Sequence, residues 1–335
     1  MPITVVGSIA YDAVKTPFGE HERMLGGAAV HFALAASFFE EVRVVGPVGD
    51  DFGESELDVM RRRGVDVSDV ERIHGGKTFF WRGEYGWDLN SRETLDTQLG
   101  VFEGFQPKLS ARSRASDVLF LANIQPDLQS QVREQLPGAR FVALDSMNLW
   151  IDIARDQLVK AIESVDCLIL NDAELRQLTG KPNLVSAARE ILAWKTSAAE
   201  GSTPDGGGSS GRGPSVIVAK QGEYGAALIT SESFFALPAY PMEDVIDPTG
   251  AGDTFAGGFV GYIAAHLPHG AQADEELSDE LLRRAMAHGT ALASFNVEAF
   301  GTERIERLTG EEITARVEEL SEITRFSSAP LKLRG

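Results

Sequence analysis

Short, almost wholly apolar runs punctuate the chain: Ile3 to Val6, Val42 to Val45, Val118 to Ala122, Phe141 to Leu144 and Cys167 to Leu170. Runs of this length without polar alternation are the pattern of strands buried on both faces. Between them lie longer segments of helical period. Gly26-Gly27 precedes an Ala-rich helix over Ala28 to Phe39, a helix opening at Asp50 is closed by Gly64, and further helices are expected near Asp127 to Gln135, near Asp152 to Glu163 and from Asp172. Repeated strand and helix segments imply a doubly wound α/β fold, a mostly parallel sheet covered on both faces. Residues after Gly7 read as a loop carrying Asp12, at a strand end where α/β ligand sites open.

The rhythm breaks twice. From Lys77 to Phe105 aromatic and β-branched residues are punctuated by Gly83, Gly86, Asn90, Gly100 and Gly104, which predicts antiparallel strands forming a small β-sheet lid together with about 12–25. Residues 196–214 carry Gly206-Gly207-Gly208-Ser209-Ser210-Gly211 with no apolar period and read as a flexible Gly/Ser-rich loop. Strands follow at Ser215 to Ala219, Ala226 to Ile229 and Phe234 to Leu237, then a helix over Ala251 to Ala265 and another over about Leu281 to Phe295, and the last residues, Ser327 to Gly335, fray. The 335 residues are expected as a single domain.

Composition narrows the function classes. Hydrophobic residues at 43% supply a large core, and 31 basic against 50 acidic residues give a formal charge of -19, which argues against nucleic acid as a partner. One cysteine, Cys167, inside an apolar run fits a reducing compartment and the role of a small buried hydrophobe. No basic, cleavable leader and no apolar run of membrane-spanning length is present, so a cytoplasmic protein without a membrane partner is expected.

The chemistry concentrates in Asp247-Pro248-Thr249-Gly250-Ala251-Gly252-Asp253. Pro248 fixes one backbone angle and the glycines remove side chains, so the chain can turn tightly into the following helix. The first amides of a helix lack internal partners and its dipole is positive there, so Gly250, Ala251 and Gly252 offer an anion hole for a phosphoryl group. Asp253 then stands where a carboxylate can take a proton from an attacking hydroxyl. Read without further context, the same residues also make an ordinary capped helix with Thr249 as N-cap and Gly257-Gly258 packing on a sheet.

Three other places fit the same chemistry. Asn171 and Glu174, one helical turn apart after an apolar strand, suit either a magnesium ion held through water or a capping box, and the local sequence does not separate the two. Val216 to Ala226 reads as strand, tight turn and strand, with Lys220 and Gly222 at the turn; a lone lysine there is expected to be solvated. Asp12 with Gly26-Gly27 brings a carboxylate, able to accept two hydroxyl hydrogens, towards a helix start.

Together these motifs, in order over nearly the whole chain, resemble the ribokinase-like (PfkB) carbohydrate kinases. The resemblance implies Asp253 as catalytic base, Gly250, Ala251 and Gly252 as anion hole, and Asn171, Lys220 and Gly222 at the ATP site, with Glu174 on the magnesium side. It also implies Asp12, Gly26 and Gly27 against the acceptor, and Asp247 and Thr249 beside a monovalent cation such as K+. His31 departs from the asparagine often found four residues after the second glycine; it is read as a substrate contact, against the alternative of a satisfied core histidine.

The function this implies is ATP-dependent phosphorylation of a hydroxyl of a small sugar or polyol, with a nucleoside as the alternative acceptor and an inactive nucleotide-binding relative as the competing class. A dinucleotide dehydrogenase is the weaker reading, because no Gly-x-Gly-x-x-Gly follows the first strand. Phe79, Phe80, Trp81, Tyr85 and Trp87 put aromatic rings on the lid, for stacking on substrate or for a homodimer through the lid.

Overall fold

The computed structural model describes residues 1–200, 213–268 and 277–327, without the side chains of 195–200. In chain order the strands are β1 (Ile3–Val6), β2 (Ala10–Thr16), β3 (Gly19–Gly26), β4 (Val42–Val48), β5 (Asp66–Arg72), β6 (Phe79–Tyr85), β7 (Arg92–Gln98), β8 (Val118–Leu121), β9 (Phe141–Asp145), β10 (Cys167–Asn171), β11 (Val216–Lys220), β12 (Ala226–Ile229) and β13 (Phe234–Leu237). Nine of them form one sheet in the order β13-β12-β11-β10-β9-β8-β1-β4-β5. It is parallel from β11 to β5, and β12 and β13 continue it antiparallel.

The apolar strands are buried because both faces are covered. Val118 and Phe120 of β8 point into one core and Leu119 and Leu121 into the other, the alternation that a pleated strand imposes. On the first face lie α1 (Ala28–Ala36), α2 (Glu54–Arg62), α8 (Ala251–His266) and the helix Asp279–Asn296, with Phe32 stacked on Phe120 at 4.0 Å between centroids. On the second lie α3 (Pro126–Gln135), α5 (Arg155–Ile162), α6 (Asp172–Thr179) and α7 (Leu184–Glu200). Gly257 and Gly258 do pack closely, but against helices and not a sheet. A methyl on Gly257 would meet Phe32 O at 2.4 Å, and one on Gly258 would meet Leu292 Cδ1 at 2.7 Å and Gly289 Cα at 3.0 Å. Overpacking of that kind costs about 1–3 kcal/mol.

The other four strands form a separate sheet, β3-β2-β6-β7, in which β2 runs parallel to β6 and the other neighbours are antiparallel. Asp12 therefore sits in a strand, not the expected loop. β3 and β6 flank β2 and take up its hydrogen bonds, and this pairing across distant segments is invisible to local pattern. The segment expected as one helix near 152–163 is two, α4 (Asn148–Ile153) and α5, joined through Ala154. Gly310–Thr324, which had no assignment, is a helix opened by a capping box between Thr309 and Glu312. Of the expected 196–214 loop, residues up to Glu200 belong to α7, and 201–212 lie outside the described residues, as does the chain from 328 on. Cys167 is buried in β10. No helix among the described residues is long and apolar enough to cross a membrane.

Candidate active site at the head of α8

Gly250 is the N-cap of α8 and adopts φ +73°, and a side chain on it would also strike the His31 ring at 2.4 Å. Two independent constraints thus demand glycine at the turn. Thr249 is not the cap: its hydroxyl donates to Tyr85 Oη at 3.2 Å and its amide to Asp247 Oδ1 at 2.9 Å. Ala251 N turns back to Pro248 O at 3.3 Å, while the Gly252 amide, in the first turn, has no partner within the helix. The expected anion hole is thus built from bare backbone, and Lys220 stands beside it: a Cβ on Gly252 would lie 3.1 Å from Lys220 Nζ.

Four carboxylates converge on this helix start. Asp12 is buried, and Gly26 makes room for it, since a Cβ there would fall 2.0 Å from Asp12 Oδ2. Burial, then the charges of Asp247 and Asp253, push Asp12 up to about 7. Asp253 is likewise raised by burial and by Glu174, against the pull of Lys220 and Arg92. Burial lifts Glu174 to about 7, with Lys220 opposing and Asp145 adding. Asp145, at the end of β9, is lifted by burial to about 6 although it is paired with Lys220 Nζ at 2.9 Å. Burial pulls Lys220 down, but Asp145, Glu174 and Asp253 outweigh it and hold the ammonium charged. Lys220 is therefore not the solvated lysine that the turn taken alone suggests; the parallel pairing Asn171↔Lys220 carries it to the same sheet edge as Glu174.

Such an excess of buried negative charge calls for cations. No three His, Cys, Asp or Glu side chains among the described residues are grouped closely enough to hold a metal ion by themselves. The donor set thus suits magnesium bound through water and a nucleotide's own phosphates, the habit of that ion. The capping box does form, with Glu174 N donating to Asn171 Oδ1 at 2.8 Å and Asn171 N to Glu174 Oε2 at 2.9 Å. That leaves Glu174 Oε1 for another task, so the two readings of this pair are compatible.

Below the turn lies a buried hydrogen-bonded network. Asp247, fully buried, accepts Thr249 N on one oxygen and Gly301 N at 3.1 Å on the other, and Asn296 Nδ2 donates to Thr249 O at 2.8 Å. His31 is buried, its Nδ1 3.2 Å from Asn296 Oδ1, which also accepts the Thr254 hydroxyl at 2.9 Å. With Asn296 Oδ1 as acceptor, His31 Nδ1 carries the proton; Nε2 is buried without a partner, and burial lowers the ring's basicity so that it stays neutral. His31 thus supports the turn from beneath, closer to the core reading than to a contact in the open cleft.

The lid closes the site from above. In register Asp12 pairs with Trp81, and Tyr85 with Arg92. The Trp81 indole lies along its strand over Gly83, bonds Thr94 Oγ1 through Nε1 at 3.3 Å, and has the Arg92 guanidinium 5.3 Å from its centroid. Arg92 bears electrostatically on Asp12, Glu174 and Asp253. Trp87, by contrast, is 91% exposed at the hairpin tip, where Asn90 Nδ2 reaches Glu223 Oε1 at 3.0 Å beside the turn holding Gly222. Gly222 (φ +57°) thus lies at the rim of the site. Sequence reasoning missed Asp145, Arg92 and Asn296. Only Asp145 had a local signal, an acid at the carboxyl end of an apolar strand.

Comparison with known proteins agrees with this geometry. A cytidine kinase from Thermococcus kodakarensis is 28% identical over 266 residues, covering 78% of this chain and 87% of the relative. A nucleoside kinase from Methanothermobacter thermautotrophicus is 24% identical over 341 residues, covering 93% of this chain and 94% of the relative. Among solved structures, the Methanocaldococcus jannaschii nucleoside kinase, an archaeal member of the ribokinase family, shares the fold with a TM-score of 0.71 at 18% identity, covering 95% of this chain and 98% of its own. With residues 105–307 matching the pfkB family of carbohydrate kinases, and with the helix start, sheet and lid described above, this chain belongs to that family and is a phosphotransferase.

Proposed function

We propose that the protein transfers the γ-phosphoryl group of ATP to a hydroxyl of a nucleoside. The observation that carries the reading is the meeting of Asp12 and Asp253, 241 residues apart in sequence, in one cluster of buried carboxyls at the start of α8. With other hydroxyls of the acceptor held by Asp12, its reacting hydroxyl attacks the γ-phosphorus while that hydroxyl's proton passes to Asp253; the bond to the β–γ bridging oxygen breaks and ADP leaves. The first-turn amides after Gly250 and the Lys220 ammonium take up the charge on the transferred group, and Arg92 adds positive charge from the lid. Glu174, with Asn171 fixing its helix, would hold magnesium through water, and that ion would neutralise the polyphosphate.

The sequence put a sugar or polyol ahead of a nucleoside. Two features now reverse that order: Trp81 in register beside Asp12 offers a flat face next to the hydroxyl-binding carboxylate, and two relatives act on nucleosides. The deciding experiment is ADP release measured against cytidine, adenosine, inosine, free pentoses, hexoses and inositols. The nucleosides should give the highest kcat/KM; faster turnover of a free sugar would restore the earlier order.

A further inference from the structure

A lysine is out of place at the start of a helix, where the dipole already concentrates positive potential. Lys220 Nζ nevertheless lies against Gly252, and its bonded anchor is Asp145 Oδ2 at 2.9 Å. The pair spans a strand: Asp145 ends β9, Lys220 ends β11, and β10 runs between them to Asn171. The anchor itself is fixed. Asp145 Oδ1 accepts Ser146 N at 2.8 Å, and buried Gln129 donates through Nε2 to Asp145 O at 2.9 Å while also bonding Ala122 O at 2.9 Å. Next to it the Ser146 hydroxyl is buried without a partner.

A buried ion pair is weak evidence for stability, since desolvating both charges offsets their attraction. A cation held by a rigid acid beside bare amides is better explained by an arriving anion. We propose that Asp145 is a positioning residue for phosphoryl transfer. It holds the Lys220 ammonium at the mouth of the anion hole so that the ammonium's remaining protons meet the phosphate oxygens. The proposal rests on the kinase reading above. Asp145 itself forms no bond to the substrate and exchanges no proton; its charge and place set those of Lys220.

The test is a double-mutant cycle in the full chain with Asp145→Asn, Lys220→Met and both together, each checked for folding by thermal unfolding. Two quantities are read: kcat with ATP and the best acceptor, and the Kd of a non-hydrolysable ATP analogue by calorimetry. Asp145→Asn should lower kcat by about tenfold or more with acceptor KM changed less than about twofold, and the double variant should be no worse than Lys220→Met alone. Asp145→Glu, which keeps the charge, should retain more activity than Asp145→Asn. If the amide does not fold, Asp145→Ser carries the same measurement. Multiplicative losses, or an Asp145→Asn enzyme with normal kcat and only a lower Tm, overturn the proposal. Failure of the kinase reading would look different, as a wild-type protein that releases no ADP with any acceptor. The analogue titration then still decides: equal affinity in wild type and Asp145→Asn overturns the role of Asp145.

Discussion

The hydroxyl of Thr249, in the turn that opens α8, donates to the phenol oxygen of Tyr85, at the end of lid strand β6, at 3.2 Å. One neutral hydrogen bond thus ties the lid to the anion hole. A second tie, Asn90 to Glu223, joins the hairpin tip to the Gly222 turn. The lid is fastened over both halves of the site, and the first fastening lies beside the reacting groups.

Tyr85→Phe removes the acceptor for Thr249 and leaves the ring. A net hydrogen bond is worth about 0.5–1.5 kcal/mol, so acceptor KM should rise by roughly two- to tenfold with kcat little changed. Steady-state kinetics at saturating ATP checks this, and an unchanged KM would mean that the bond does not hold the lid in solution.

Asp253→Asn keeps the shape of the helix start while removing the proton acceptor. Turnover should fall by about 10²–10⁴-fold with nucleotide affinity retained. Near-normal kcat in an ADP-release assay would sink the assignment of Asp253 as base.

The large sheet was legible because its strands are apolar throughout and separated by helical period, and the α8 turn because Pro248, Gly250 and Gly252 leave few alternatives. The small sheet was only half legible. Aromatic alternation marked β6, but β2 is a strand through its pairing with β3 and β6, contacts of long sequence separation. The same limit hid Asn296 and Arg92, which owe their importance to folding and not to neighbours in sequence. The ion pair of Lys220 was hidden for a related reason: local sequence shows a lysine near a turn, and only the β9-β10-β11 order brings Asp145 to it.

The raised carboxyls have a consequence for stability. Burial, with Asp247 and Asp253, takes Asp12 to about 7 in the folded chain from an ordinary 3.8, so between those values the folded state holds a proton that the unfolded state has released. Stability from this group is fully present below about pH 4 and is lost as pH rises through about 7, at most about 4 kcal/mol. Glu174, also lifted to about 7 by burial, acts in the same direction. The Tm of the ligand-free protein should therefore fall from pH 5 to pH 8. Asp12→Asn should flatten that fall and raise Tm at pH 8 while abolishing acceptor binding, a gain of stability at the cost of function. A wild-type Tm that is level or rising over this range would contradict the buried cluster of carboxyls.

The final prediction separates the two tryptophans of the lid. Trp81 is the register partner of Asp12, half-buried, with its indole along the strand and Arg92 near its ring, whereas Trp87 is 91% exposed at the tip of a hairpin. If the acceptor is a nucleoside whose ribose meets Asp12, its base has the Trp81 side of the lid to stack on, a contact worth roughly 1–3 kcal/mol. Titration with a nucleoside should then quench tryptophan fluorescence saturably. Trp81→Leu should abolish the quenching and weaken binding by about 5- to 150-fold, whereas Trp87→Leu should leave both nearly unchanged. A free pentose, which has hydroxyls for Asp12 but no base, should quench far less and should be indifferent to Trp81→Leu. Equal quenching by pentose and nucleoside would return the acceptor to a sugar, and quenching that disappears with Trp87→Leu instead would move the base to the hairpin tip, beside Asn90 and Glu223.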